Sequence, residues 1–447
     1  MSSDIILNVT IMGVGMHLGA WRHRAGSPSD YLDLDYYREV AQLAESGKIH
    51  ALFLADTLAV SEENFERPNL GAMDPTAVLG ALAAVTRGLG LVATASTSFN
   101  EPFNLARRIA SLDHLSRGRA AWNIVTTFIP DVAANFGKGP LLPHAERYAK
   151  ASEFVDAVIA LWESWEEGAL VGDKTSGLFA DRNRVHAVNH EGHYFSVRGP
   201  STLPRSPQGR PILYQAGSSE EGRSLAARVA DVIFAVQNTL PVAVAFRKDI
   251  RERTAREGRS PDSIKVLPGL VPVIGGTERE AQQRKRELDE LAGEAELRKL
   301  AARVGVPVSE LALDKPLPFD LIKANDKFNA SRGFQAAAMQ LGASENLTVR
   351  EILYRNGGGH PQVVGTPEQV ADFVESWHRA GAADGFNLMI DELPSGLRAF
   401  VENVVPLLQK RGVFQREYRG DTLRTNLGLG NSHDTIRDDE RRSAHYA

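Results

Sequence analysis

The sequence predicts an α/β fold of the TIM type, a closed (β/α)8 barrel with insertions, and three observations carry that expectation. Short apolar runs alternate with helical patterns through most of the 447 residues, as βαβ units around a parallel sheet require. Eight such runs occur, which suits a closed barrel better than an open doubly wound sheet. A hydrophobic content of 43% beside 24% charge supplies one large core in an ordinary globular chain.

The expected strands, in order, are Ile5–Val14, Ala51–Asp56, Gly90–Thr97, Ala120–Val125, Ile212–Gly217, Val232–Val236, Lys265–Ile274 and Phe386–Ile390. Several of the helices between them announce their starts. Asp74-Pro75 places a capping side chain before a proline at the first helical position. Beyond His144, the residues Ala151, Val155, Val158, Ile159 and Trp162 form one apolar stripe at helical spacing. Thr366-Pro367-Glu368 opens another helix that runs to about His378. Two stretches exceed the minimal repeat. Residues 164–210 read as an excursion with a small hairpin near HEGHYFSV, and 277–360 begin as a charged helix and are expected to form a helical lid. The barrel domain is therefore expected over 1–411, with 412–447 as a polar tail without clear period.

Composition removes several classes of function. A net charge of −5 at this length leaves no basic footprint for nucleic acid or for a membrane surface. The chain has no cysteine, which excludes disulfides, thiol nucleophiles and thiolate-bound metals together. The opening MSSDIILNVTIMG lacks a basic region ahead of its apolar run, so a cytoplasmic location is expected.

Candidate site residues gather at the strand ends. Asp56 closes the second strand, Thr94 lies at the end of the third, and Asn123 and the Thr126-Thr127 pair mark the exit from the fourth. His144 and Tyr148, four apart, share one face of a first helical turn. Together they suit an anionic ligand with a large flat apolar part. Gly217-Ser218-Ser219-Glu220-Glu221 opens a helix after the fifth strand. There Ser218 and Glu221 have capping-box spacing, while free amides and serine hydroxyls also suit a phosphate; both readings stay open. The run Gly13 to Gly19 has the wrong spacing for a dinucleotide loop, and AWRHRAGSPSD after it is not expected to start a helix, so the pyrophosphate would find no helix amides. Gly357-Gly358-Gly359-His360 lacks the lysine of a P-loop and reads as a hinge. His186, His190 and His193 lack ligand spacing, and no metal is expected.

A wider set of motifs then agrees in order: LGAWRH (18–23), ALFLADTL (51–58), TSFNEPFNLARRIASLDHLSRGRAAWNIVTT (97–127), NFG (135–137), HAERY (144–148), HEGHYFSVRGP (190–200), PILYQAGSSEEGR (211–223), VGTPEQVAD (364–372) and DGFNL (384–388). With these the chain closely resembles the nitrilotriacetate and dibenzothiophene-sulfone monooxygenase branch of the bacterial-luciferase-like flavoproteins, over almost its whole length. The resemblance implies a TIM-type barrel that takes reduced FMN (FMNH2) from a separate NAD(P)H-dependent flavin reductase. It implies reaction with O2 through a flavin C4a-(hydro)peroxide to oxygenate a small organic, N- or S-containing substrate, xenobiotic compounds included. It places Asp56 and Thr94 against the isoalloxazine and ribityl groups with Asn123 close by, and His144, Tyr148, Ser218 and Ser219 at the phosphate.

In the same way His17 becomes the acid/base candidate, and Phe128 an apolar wall for substrate. A homodimer or homotetramer is expected from relatives. Two other outcomes fit the same residues, a reduced-flavin-dependent cleavage enzyme and a non-catalytic flavin-binding protein. A deazaflavin-dependent relative fits the motifs less well.

Overall fold

The structure is a computed structural model that describes residues 4–60, 73–137, 139–325, 328, 332–356 and 359–430. Eight strands run parallel and close into a ring: β1 (Ile6–Ile11), β2 (Ala51–Leu54), β3 (Gly90–Ser96), β4 (Ala120–Val125), β5 (Ile212–Ala216), β6 (Val232–Ala235), β7 (Lys265–Ile274) and β8 (Gly385–Leu388). Each neighbours the next in chain order, and β8 pairs back to β1 with Asn387 beside Asn8. The expected (β/α)8 barrel is thus present, with most strands one to three residues shorter than the apolar runs that announce them. The strand at 362–365 was not expected. It pairs with the second half of β7, which overshoots the ring.

Alternation along the strands decides what faces the barrel interior. On β4, Trp122 points outward, donates Nε1–H to Ala95 O and packs on Phe154 and Trp162. Phe154 and Trp162 belong to the helix His144–Glu163, so this contact fixes the helix against the barrel wall. Asn123, next in line, therefore points inward. Halfway up the interior, Asn8 donates Nδ2–H to Tyr214 and to Asn387, a buried polar layer between apolar ones.

The barrel is closed below by the segment expected as a polar tail. Leu423 and Leu427 are buried and pack on Ile6, Ala51, Val92, Ala121, Ile212, Val232 and Leu267. Between them Arg424 reaches the buried Asp231 at 3.7 Å and the carbonyl of Gln208. Residues 412–430 are thus partly core, because Leu423, which opens the short helix Leu423–Asn426, and Leu427, which caps its end, fill the floor.

The excursion over 164–210 contains the expected small hairpin (His190–Glu191 with Ser196–Val197) and a second, unexpected one (Leu170–Asp173 with Leu178–Ala180). The stretch 277–360 folds into helices Glu278–Ala292, Ala295–Val304, Phe319–Ala324, Arg332–Ser344 and Val349–Tyr354, several of which share a small apolar cluster of their own. Residues AWRH, expected to stay non-helical, form one helical turn (Ala20–His23) packed on the first of these helices. Among the described residues no helix is long and apolar enough to cross a membrane.

Candidate functional site

A cavity of about 370 Å³ opens at the C-terminal ends of the strands, where barrel sites are built. Asp56, Thr94, Asn123, Phe128, His144, Tyr148, Ser218 and Ser219 all line it. The strands bring these residues together from positions up to 163 apart in sequence (219 − 56 = 163). One predicted residue does not join them. His17 accepts the Gly19 amide on Nδ1 and meets Asp289 through Nε2 at 3.0 Å, so its ring is committed to the helix Glu278–Ala292; Met16 faces the cavity in its place.

One wall is formed by β2 to β4. Asn123 donates Nδ2–H to Thr94 Oγ1 at 3.0 Å, which leaves Asn123 Oδ1 buried without a partner. Thr10 Oγ1, on β1, is likewise unpartnered. A buried acceptor without a donor is costly, so this wall is shaped for a polar ring edge that the protein does not itself provide. Asp56 stands at its rim. Burial, then the neighbouring Asp74, pushes its carboxyl up to about 6, against the opposing pull of the Thr57 amide and Arg108.

The sign of that shift makes a prediction. The folded chain binds Asp56's proton more tightly than the unfolded chain does. The stability this contributes is therefore present at low pH and is lost as pH rises from 3.8 through about 6. Asp56→Asn removes the titration. Urea midpoints measured across that window should show the parent losing stability relative to the variant as pH rises; equal slopes for both proteins would refute the shift.

Next to that wall, beyond the ends of β4 and β5, the cavity is cationic and rich in hydroxyls. His144 and Tyr148 pack with ring centres 4.9 Å apart and planes tilted by 50°. Tyr148 hydrogen-bonds Ser219 and Thr126, and burial raises its hydroxyl pKa. Ser219, not Ser218, caps the helix Glu220–Val229 by accepting the Gly222 amide at 3.2 Å. The capping alternative thus belongs to Ser219, and Ser218 is left to face the cavity. Arg147 and Arg332 line the same end, and both are close enough to hold the His144 pKa down, after burial, while Glu221 raises it. Arg147 was legible as the third residue after His144 on the same first turn. Arg332 lies in the insertion and carries no signal in the sequence. This end fits a phosphate, and the orphaned atoms of the other wall fit the polar edge of a flat ring; FMN has both.

Much of the remaining lining is apolar, with Met12, Leu58, Ile129, Val132, Phe234, Phe334 and Met389, and Phe128 at the rim; His360 is a polar exception. The histidines of the excursion diverge, His186 to Glu166 and His190 to Glu153. Among the described residues no three His, Asp or Glu side chains gather as a metal set.

Comparison with known proteins agrees with this geometry. The model of the luciferase-like monooxygenases matches residues 14–384. The chain is 45% identical to N-acetyl-S-(2-succino)cysteine monooxygenase of Bacillus subtilis (strain 168), over 95% of this chain and 97% of that one. It is 40% identical to nitrilotriacetate monooxygenase component A of Aminobacter aminovorans, over 94% and 96%. Among solved structures, a riboflavin lyase crystallised with modified FMN and riboflavin superposes with a TM-score of 0.85 at 33% identity, covering all of both chains. By sequence over most of its length and by its barrel, this chain belongs to the luciferase-like monooxygenase family.

Proposed function

We propose that the protein is the oxygenase component of a two-component system, taking FMNH2 from a separate NAD(P)H-dependent flavin reductase and using O2 to oxygenate a small N- or S-containing organic molecule. The observation that carries this reading is the division of one cavity into a cationic, hydroxyl-bearing part (His144, Arg147, Tyr148, Ser218, Arg332), a wall with unpartnered polar atoms (Thr10, Asn123), and a largely apolar remainder. Reduced FMN, when bound, supplies two electrons to O2, so that one oxygen atom enters the substrate and the other leaves as water. The chain's own part is to bind, orient and keep dry. Ser218, His144 and Arg332 would hold the phosphate, and Asn123 with Thr94 the ring. Met12, Met16, Phe334 and Met389 exclude water from the reacting face. His17 is not proposed in acid/base work, since Asp289 and Gly19 occupy both its nitrogens. A homodimer or homotetramer completes the proposal.

Oxygenated buffer mixed with protein and chemically reduced FMN should show a delay before oxidised flavin absorbance returns. Oxygen uptake with a flavin reductase present should then rise with the right organic substrate. Immediate reoxidation, as fast as for free flavin, would sink the reading. Similarity to a riboflavin lyase favours one other outcome, bond cleavage driven by the same reduced cofactor. Oxygen accounting separates the two: oxygenation consumes one O2 per product and leaves one atom of 18O2 in it, even where a carbon hydroxylated beside N or S then collapses into two fragments, whereas cleavage without oxygenation leaves no 18O in either fragment.

A further inference from the structure

His360 is the last residue of the glycine run that reads as a hinge; Gly357 and Gly358 lie outside the described residues. Its side chain, almost fully buried, enters the barrel mouth and lines the cavity. The ring stacks on Phe234 of β6 with centres 5.1 Å apart and planes 18° apart, and meets Phe334 of the insertion edge-on at 5.4 Å. It occupies the place of a missing side chain on β7. Gly269 sits beside Asn387, whose side chain points into the barrel, and a methyl at Gly269 would collide with His360 Nδ1, Cγ and Cε1. Gly269 is thus a socket for the imidazole.

That seating orients the ring. Nδ1 faces the β7 backbone and has no hydrogen-bond partner. A proton there would be a buried orphan N–H, which folded proteins avoid, so the proton belongs on Nε2. The Nε2 edge points away from Gly269, toward the cavity. Burial, with Arg303 and Lys299 nearby, depresses the pKa to about 3, and the ring is neutral at ordinary pH. In the closed ring of strands, β7 lies across from β3, the strand of Thr94. His360 therefore faces the cavity from the side opposite Asp56, Thr94 and Asn123.

We propose that His360 contacts the organic substrate, offering Nε2–H to an acceptor oxygen (a carbonyl, carboxylate, sulfoxide or sulfone) on a molecule whose apolar part rests against Phe234 and Phe334. This rests on the reading above in one respect, that the flavin ring occupies the wall formed by β2 to β4. The donor is neutral and fixed by its socket, so it recognises an acceptor without requiring a charge on it.

The test uses FMN-loaded protein labelled with [15N]histidine, the His360 signals being assigned by their loss in His360→Gln. N,N-dimethylacetamide, which accepts hydrogen bonds and cannot donate them, is the probe. The expected result is a neutral ring protonated on Nε2, an Nε2–H proton that moves downfield and saturates with the probe, and FMN affinity in His360→Phe within about threefold of the parent, a difference below 1 kcal/mol. Protonation on Nδ1, or no saturable response, overturns the proposal. So does a loss of FMN affinity beyond about tenfold in both His360→Phe and His360→Gln, which would assign the imidazole to the flavin. Failure of the parent itself to bind FMN, read by direct titration, is a different result and strikes the functional reading; the tautomer and probe response are still measured on the protein alone.

Discussion

Alanine at His144, Ser218 or Arg332 is expected to weaken FMN binding by about ten- to a hundredfold in each case, the range for losing one hydrogen bond to a charged group, while riboflavin binding stays nearly unchanged. The argument is one of place. All three residues line the part of the cavity that holds Arg147 and the Tyr148 hydroxyl, whereas the unpartnered Asn123 Oδ1 belongs to the wall formed by β2 to β4. Riboflavin has the ring and the ribityl chain but no phosphate, so it should not register the loss. The parent should accordingly prefer FMN to riboflavin, and each substitution should erode that preference. Flavin fluorescence titrations of the four proteins with both ligands measure it. Equal losses for both ligands would move these residues to the ring, and no loss for either would remove them from the site.

Leu423→Asp is expected to abolish soluble, folded protein, and Leu423→Ala to cost about 2–5 kcal/mol, the range for a fully buried leucine. Aspartate at this position would place a carboxylate against the apolar side chains of Ile6, Ala51, Val92, Ala121 and Ile212. A chain ending at residue 415 loses Leu423, Leu427 and the Arg424 side chain together, which uncovers the floor and takes one guanidinium from Asp231. Urea unfolding of Leu423→Ala gives the measured cost. FMN affinity of its folded fraction should equal that of the parent, since the floor and the cavity are at opposite ends of the barrel. Wild-type stability in Leu423→Ala would show that the floor contributes nothing.

The eight strands were legible because a strand of a closed parallel barrel is covered on both sides and reads as a continuous apolar run. Their ends were overestimated where apolar residues continue into the mouth, as Met389 and Ile390 do after β8. The strand at 362–365 is short and half-buried, so QVVG carried no comparable signal. The floor was missed for a similar reason: Leu423, Leu427 and Leu429 are the three apolar residues in the polar run DTLRTNLGL, too few for a period. Site residues on strand ends and first helical turns were legible because the fold fixes where such positions point. Arg332, Phe334 and His360 were not, since nothing local says which residues of an 84-residue insertion (360 − 277 + 1 = 84) will face the mouth. His17 shows the limit from the other side. Its loop was placed correctly, but Asp289, a residue 272 positions away, turns the ring out of the cavity.

The order in which the chain leaves the ribosome gives the barrel floor one more consequence. Among the described residues, β8, Gly385–Leu388, closes the seam between β1 and β7, and Leu423 and Leu427 close the floor with Leu429 packed against them. A nascent chain that has emerged as far as β7 carries seven strands with two unpaired edges and an open apolar base. Unpaired strand edges and open apolar surface recruit other chains. Every molecule passes through that state during synthesis, and the last described stretch of the sequence ends it.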